Sequence, residues 1–428
     1  MSVELFKTIL AEFRDEDLLS GIPRETKVIL NARQIVSIVG GRRTGKTTLL
    51  KQAIQQLTTK GIAISQIIYV NFEDERIPRD AAVFQDLLDA QSELVQEIPL
   101  KECWFFFDEI HEIPGWHHFL NRMQEMLKGH LFITGSSAKL LSKEIASSLR
   151  GRTITLELFP FSFREYLQYK DIDAPDAHTT RGQSLLRTEL RNYMEEGGYP
   201  ATIGQSKELR SRVHRSYLDV MIYRDLIERY QISNHNALRQ YIKKMLANAA
   251  KESSVNKTYL ELKSQGHKIS KDQLYNFRLW CEEIYLLFQL PQYHESFVKQ
   301  QSGIKKTFGL DTGLINSTSF RASQDHGRLM ENMVFTELKR KEKEIFFNKE
   351  GKECDFLVKE NDQINQAIQV TANLEDQTTR NREVAGLLYA LEKYNLKKGL
   401  LITMNEDEVL TSGKKTVRIL PLWRWLIE

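Results

Sequence analysis

Residues 35 to 48 read IVSIVGGRRTGKTT, an apolar run, a glycine-rich turn and the opening of a helical stretch TTLLKQAI. The turn matches G-x-x-x-x-G-K-[ST] at Gly40, Gly45, Lys46 and Thr47, and the motif stands where its mechanism needs it, between a strand and a helix. Glycines let successive backbone N–H groups turn toward a phosphate, and the helix N-terminus adds the positive end of its dipole. Gly40, Gly41, Thr44, Gly45, Lys46, Thr47 and Thr48 are therefore expected to bind a nucleotide, with Lys46 on the β and γ oxygens and the Thr47 hydroxyl on Mg²⁺. Arg42 and Arg43 lie inside the loop and read as solvated or packing residues.

The text around this motif fixes the fold class. From about residue 25 to 150, strand-like runs (QIVSIVG, IIYVNF, CWFFFDEI, LFITGSS) alternate with helical ones (TTLLKQAIQQL, FQDLLDAQSELVQEI, FLNRMQEML). That alternation is the pattern of βαβ units, so residues 1–154 are expected to form a parallel sheet with helices on both faces.

WFFFDEIHEIPGW, residues 104–116, delivers Asp108 and Glu109 at the carboxyl end of a strand, where open parallel sheets bind ligands. It reads as a Walker B element, with Asp108 orienting Mg²⁺ and Glu109 polarising the water that attacks the γ-phosphate. A further strand, LFITGSS, ends in small hydroxyl residues; Ser136, ahead of Thr134, is placed to touch the γ-phosphate or that water. Arg150 and Arg152, in SSLRGRTITLELF, are placed for one of them to act as an arginine finger toward the nucleotide of a neighbouring subunit. His111, Glu112 and His117 read as a solvated turn rather than a metal site.

The whole chain is 428 residues, enough for roughly three domains. Lys+Arg 60 against Asp+Glu 57 leaves +3, so any nucleic-acid site must be a local patch. Cys103, Cys281 and Cys354 stand singly, without CxxC spacing, which argues against zinc and disulfides and for a reducing cytoplasm. The amphipathic N-terminus MSVELFKTILAEFRDEDLL lacks a signal-peptide pattern, and no long apolar window suggests a membrane span.

Past residue 150 the strand alternation fades. Residues 155–235 read as a helical lid or connector, opening with FSFREYL, where Ser162 and Glu165 have capping-box spacing. Residues 236–300 hold short helices, among them one starting at Ser270 and Gln273. Residues 301–428 form a second, smaller α/β unit containing ECDFLVKENDQINQAIQVT, 353 to 371, two short strands joined by a polar turn.

GGRRTGKTT, FFFDEIHEIPGW, LFITGSSAKLLSKEIASSLRGR, LELFPFSFREYL and EEGGYP, in this order, resemble a prokaryotic family of AAA+-like P-loop ATPases whose members carry a C-terminal region of uncharacterised function. The resemblance covers most of the chain. It implies an ASCE-type ATPase core that binds and hydrolyses ATP, a winged-helix-like segment in the middle and a PD-(D/E)XK nuclease-like, restriction-endonuclease-like domain at the end.

A winged helix reads DNA with one helix in the major groove. HKISKDQLYNFRLWCEEI would expose Lys271, Gln273, Asn276 and Arg278, while Tyr275, Phe277 and Trp280 equally suit a core or protein-contact role. PD-(D/E)XK chemistry needs converging carboxylates and a lysine. Asp355 supplies one carboxylate, and Glu331, beside the apolar face of Met330, Val334 and Leu338, could supply another. The pattern departs at Gln369, Val370 and Thr371, where (D/E)-x-K is expected; Lys349, Lys352 and Lys359 are the candidates for a migrated cation, and spacing selects none of them.

The leading expectation is an Mg²⁺-dependent ATPase that couples nucleotide state to nucleic-acid or partner binding through a degenerate nuclease-like module, with DNA or RNA and a second copy of the chain as partners. The alternatives are a slow nucleotide-dependent switch or assembly scaffold, and an ATP-regulated metal-dependent nuclease.

Overall fold

A computed structural model of the chain describes residues 2–18, 21–127, 130–135, 151–172, 178–318 and 325–428. They form two compact units, Met1–Phe159 and Pro160–Glu428.

The first unit is built on a parallel sheet of five strands, β1 Ile35–Gly40, β2 Ile67–Asn71, β3 Trp104–Asp108, β4 Leu131–Gly135 and β5 Thr153–Leu158, in the order β2-β3-β4-β1-β5. Strands β1, β3 and β4 are buried along their whole length, which is why they read as unbroken apolar runs rather than alternating ones. Val36, Ile38, Phe106 and Phe132 face the helix Lys46–Thr59 through Leu50 and Ile54. On the other face Phe107 meets Phe119 of the helix Trp116–Leu127, and Phe119 stacks on Phe84 of the helix Val83–Leu94 at 4.2 Å. Each fully buried phenylalanine contributes roughly 1.5–3 kcal/mol through removal from water.

Strand β4 lies between β1 and β3, so one strand end separates the glycine-rich loop from Asp108. The sheet also runs past residue 154, the boundary expected from sequence, because β5 pairs with β1 from Thr153 to Leu158. Its polar, half-buried pattern TITLEL is that of an edge strand and carries no apolar run to mark it.

The second unit opens with helices, of which Phe163–Tyr169 and Lys271–Glu283 begin with the expected capping boxes at Ser162 and Ser270. A small antiparallel sheet of β6 Glu252–Ser253, β7 Leu287–Pro291 and β8 Lys305–Gly309 follows, in the order β6-β8-β7. It crosses the boundary expected at residue 300, since β8 is its central strand. A six-stranded mixed sheet completes the unit: β9 Glu344–Asn348, β10 Cys354–Glu360, β11 Gln363–Val370, β12 Lys398–Thr403, β13 Glu408–Ser412 and β14 Lys415–Pro421, ordered β13-β14-β12-β11-β10-β9. Strands β9, β10 and β11 are antiparallel, β11, β12 and β14 parallel. The helix Gln377–Lys393 connects β11 to β12 and buries Leu387 and Leu391 against the sheet. The helix His326–Arg340 precedes β9.

Arg278 departs from expectation: it is buried and donates to the Ser253 carbonyl, so it is not part of the exposed row with Lys271 and Asn276. Tyr275 and Leu279 are exposed on that helix instead. Among the described residues no helix is long and apolar enough to cross a membrane.

Candidate functional site

The loop after β1 is shaped by two glycines. A Cβ on Gly40 would stand 2.2 Å from the Leu158 carbonyl oxygen, with φ at +155°, so the strand pair β1–β5 admits no side chain there. Gly45, at φ 98° and ψ 25°, caps the helix Lys46–Thr59 in the left-handed region with no side chain on the first-turn N–H groups. Those donors stay oriented for an anion. Thr44 closes the loop from inside by donating to the Gly41 carbonyl at 2.9 Å. Arg24 clasps it from outside, donating to the carbonyls of Thr44 at 2.8 Å and Phe159 at 2.7 Å.

Lys46 is buried, with Nζ 3.1 Å from the Gly41 carbonyl, 3.4 Å from that of Gly40 and 3.7 Å from Glu109 Oε1. The Thr47 hydroxyl, on the exposed start of the helix, donates to Asp108 Oδ2 at 2.6 Å, and Thr48 lies half-buried behind it. Asp108 is 1 % exposed and takes two further donors, the Tyr69 hydroxyl at 3.2 Å on Oδ2 and the Thr134 hydroxyl on Oδ1. Burial beside Asp108 pushes the Tyr69 phenol well up, which keeps it a donor. Thr134 in turn accepts from the Glu109 backbone N–H at 3.0 Å.

Glu109 sits in the left-handed region at φ 49°, turning its carboxylate out of the strand direction toward Lys46. Burial pushes its carboxyl up to about 7; Lys46 pulls it down and Asp108 pushes it further up. His111 Nδ1 stands 3.4 Å from its other oxygen. Arg42 Nη1 lies 3.9 Å from Glu73.

Ser136 and Arg150 lie outside the described residues. Arg152 precedes β5 on the sheet edge, where its Nη1 is 3.3 Å from the exposed Glu125. Thr134, ranked behind Ser136 from sequence, is one of the three hydroxyls that hold Asp108, with Thr47 and Tyr69. Arg24 and Tyr69 carry no sequence signal: each acts across long sequence separation, and neither belongs to a local pattern.

In the second unit, Glu331, Asp355 and Gln369 do come together, along one cleft of about 720 Å³ that Lys352, Glu353 and Glu383 also line. Asp355 Oδ2 accepts from the Val370 N–H at 3.0 Å. The cation of this cluster is Lys306 of β8, not Lys349, Lys352 or Lys359. Its Nζ lies 2.8 Å from Asp355 Oδ1, 2.9 Å from Glu353 Oε1 and 3.4 Å from Glu331 Oε2. Lys349 pairs with Glu252 and Lys359 with Asp362 and Glu344, on exposed strand ends, while Lys352 is a lining residue of the cleft. Burial and the charge of Asp355 push the Glu331 carboxyl up against the pull of Lys306. Gln369 is a linker between chains of bonds: its oxygen accepts from the Asp355 N–H at 3.2 Å and its amide donates to Glu383 Oε2 at 2.6 Å. The signal that could have found Lys306 is its place one strand step from Phe308, whose ring packs on Phe335 and Phe356.

Residues 32–167 match the family model of an AAA domain, and residues 187–325 and 326–425 match two models described as domains of unknown function, DUF8612 and DUF4143. With the parallel sheet and its loop, this defines the class: an AAA-type P-loop ATPase fold joined to a unit with a mixed sheet. The uncharacterized protein MJ1544 of Methanocaldococcus jannaschii is 34% identical over 424 residues, covering 94% of this chain and 90% of that protein, and the chain belongs to its family. An uncharacterized protein of Haemophilus influenzae is 28% identical over 398 residues, covering 91% of this chain and 94% of that one. Among solved structures, the Walker-type ATPase PABY2304 of Pyrococcus abyssi is similar at 15% identity and TM-score 0.42, covering 67% of this chain and 91% of that chain.

Proposed function

We propose that the chain binds and hydrolyses ATP at the loop Gly40–Thr48, and that the nucleotide state governs contacts of the C-terminal unit with nucleic acid or a protein partner. The observation that carries this reading is the junction of three strand ends, where Thr47, Thr134 and Glu109 gather around Asp108.

On this reading the N–H groups after Gly45 and the Lys46 ammonium hold the β- and γ-phosphates. Thr47 and Asp108 are hard oxygen donors 2.6 Å apart, a pair suited to Mg²⁺. Bound there, Mg²⁺ would neutralise charge on the phosphate oxygens. Glu109 accepts the proton of the attacking water, and its burial keeps it basic enough to do so near neutral pH. Entry of a γ-phosphate draws Lys46 away from Glu109, so that binding frees the base. Thr134 keeps the backbone of Glu109 and the carboxylate of Asp108 in register. Ser136 remains our candidate for a γ-phosphate contact, and Arg150 or Arg152 for one supplied to a neighbouring copy of the chain.

For the second unit we favour a nuclease-like module used for contact. Support comes from the succession of a helix bearing Glu331, three antiparallel strands with Asp355 on the middle one, a connecting helix and a parallel strand. The winged-helix-like reading of residues 236–300 rests on the short helices there and on the small antiparallel sheet that β6 and β7 complete with β8, beyond residue 300.

An ATPase assay of the full chain with and without single-stranded DNA, duplex DNA and RNA, run beside a cleavage assay of the same substrates, tests the whole reading. Turnover that depends on Lys46, responds to one of these polymers and leaves it intact supports it. Turnover that survives Lys46→Ala overturns it.

A further inference from the structure

A PD-(D/E)XK-like fold would place a divalent ion between Glu331, Asp355 and the residue at 369. Such an ion needs several carboxylate or carbonyl oxygens free to converge on it. Here the oxygens of Asp355 and Gln369 are engaged. Asp355 gives Oδ2 to the Val370 N–H and Oδ1 to Lys306. Gln369 turns its oxygen to the Asp355 N–H and its amide to Glu383, whose other oxygen is held by Arg382 at 2.6 Å. Among the described residues no group of three or more His, Cys, Asp and Glu side chains is arranged to hold a metal ion.

At the centre of the carboxylates stands an ammonium. Its Nζ donates to Asp355 at 2.8 Å and to Glu331 at 3.4 Å, and forms an ion pair with Glu353 at 2.9 Å. Lys306 is 3 % exposed, and a buried charge persists only when it is paired as well as this one is. Its backbone is fixed too. Asn332, the neighbour of Glu331 on the same helix, takes the N–H of Gly309 and gives to its carbonyl, both at 2.9 Å. That amide clasp ties β8 to the helix carrying Glu331, so the lysine and one of its acids move as one body.

We infer that Lys306 is a built-in cation that replaces a divalent metal in the cleft, holding its acidic residues together without an ion. A metal entering beside a fixed ammonium would meet repulsion across a few ångströms of low-dielectric protein and would find one carboxylate fewer at position 369. The cleft therefore keeps the shape of a cleavage site and lacks its metal chemistry. The inference deepens the reading of the second unit as nuclease-like and does not depend on ATP hydrolysis at the first.

Mn²⁺ binding to the nucleotide-free full chain, followed by the electron paramagnetic resonance signal of free Mn²⁺, tests it. Wild type and Asp355→Asn should bind Mn²⁺ alike, since the cleft holds none. Lys306→Gln should gain one site on the order of tenfold or more tighter than anything in wild type, and Lys306→Gln with Asp355→Asn should lose it again. Wild-type Mn²⁺ binding, or Mn²⁺-dependent DNA cleavage, that disappears in Asp355→Asn overturns the inference, and does so even if Lys306→Gln fails to fold. A folded Lys306→Gln that gains no site overturns it equally. ATP turnover measured on the same preparations reports separately on the first unit.

Discussion

The hydroxyl of Thr47 lies 2.6 Å from Oδ2 of Asp108, joining positions 61 residues apart in the chain. Neither residue reaches the other without the sheet order β3-β4-β1, which sets their two strand ends one strand apart. The intervening strand supplies Thr134, which binds the other oxygen of Asp108 and the backbone of Glu109. Each hydroxyl thus reads the position of a different strand, and the carboxylate between them is fixed in the absence of any ligand.

Lys46→Ala should abolish nucleotide binding. The ammonium is buried among the Gly40 and Gly41 carbonyls and Glu109. A loss of affinity of about 100-fold or more, some 3 kcal/mol, is expected for a charge-assisted phosphate contact in such a site. Fluorescence titration with a labelled ATP analogue checks it, and near-wild-type affinity would remove Lys46 from the site.

Glu109→Gln should leave binding intact and stop turnover. The amide preserves shape but accepts no proton, so kcat should fall by about 10²–10⁴. Phosphate release under saturating ATP measures the fall, with a binding titration alongside. Undiminished release would assign the water-polarising role to another residue.

What could be read in advance follows from where information lies along the chain. Strands β1, β3 and β4 are covered on both faces, so their residues are mostly apolar and their carboxyl ends locate Gly40, Asp108 and Thr134. The strand TITLEL was hidden because an edge strand's residues are half exposed, and its partner β1 is more than a hundred residues earlier. Lys306 was hidden for a related reason: alternation in KKTFG puts it on the face of Phe308, but its acid partners Glu331, Glu353 and Asp355 lie 25 to 49 residues further on and meet it only in the fold. A DNA-reading helix would expose Arg278, yet this helix buries Phe277 and Arg278 together, and a carbonyl at Ser253 receives the guanidinium.

Thr134→Val should separate positioning from binding. The isosteric methyl keeps the core packed but removes both the donor to Asp108 and the acceptor for the Glu109 N–H. Turnover should drop by about 10–100-fold with ATP affinity changed little, and Thr134→Ser should recover most of it. Equal losses in Thr134→Ser and Thr134→Val would point to packing rather than to the hydroxyl.

Two buried groups of the second unit should titrate against each other. His214, held by the Thr202 and Ser317 hydroxyls at 3.1 and 2.8 Å, has its pKa lowered by burial, with nearby Arg210 acting the same way, to about 4. The unfolded chain takes up that proton near pH 6.5, so the stability His214 provides is present above pH 6.5 and lost as pH falls toward 4. Asp311 is pushed up by burial to about 6, against the N–H groups of Gly198 and Leu314. Here the folded state holds the proton more tightly, so stability is gained as pH falls from about 6 toward 3.8. Each contribution is about 2 kcal/mol between pH 7 and 4.5, with opposite sign, and in wild type they nearly cancel. Asp311→Asn should therefore lose about 2 kcal/mol more than wild type over that range, and His214→Gln should lose about 2 kcal/mol less. Urea unfolding of the full chain at the two pH values, following the transition of the second unit, measures both differences. Parallel pH dependences for all three proteins would show that these groups are not protonated as their burial dictates.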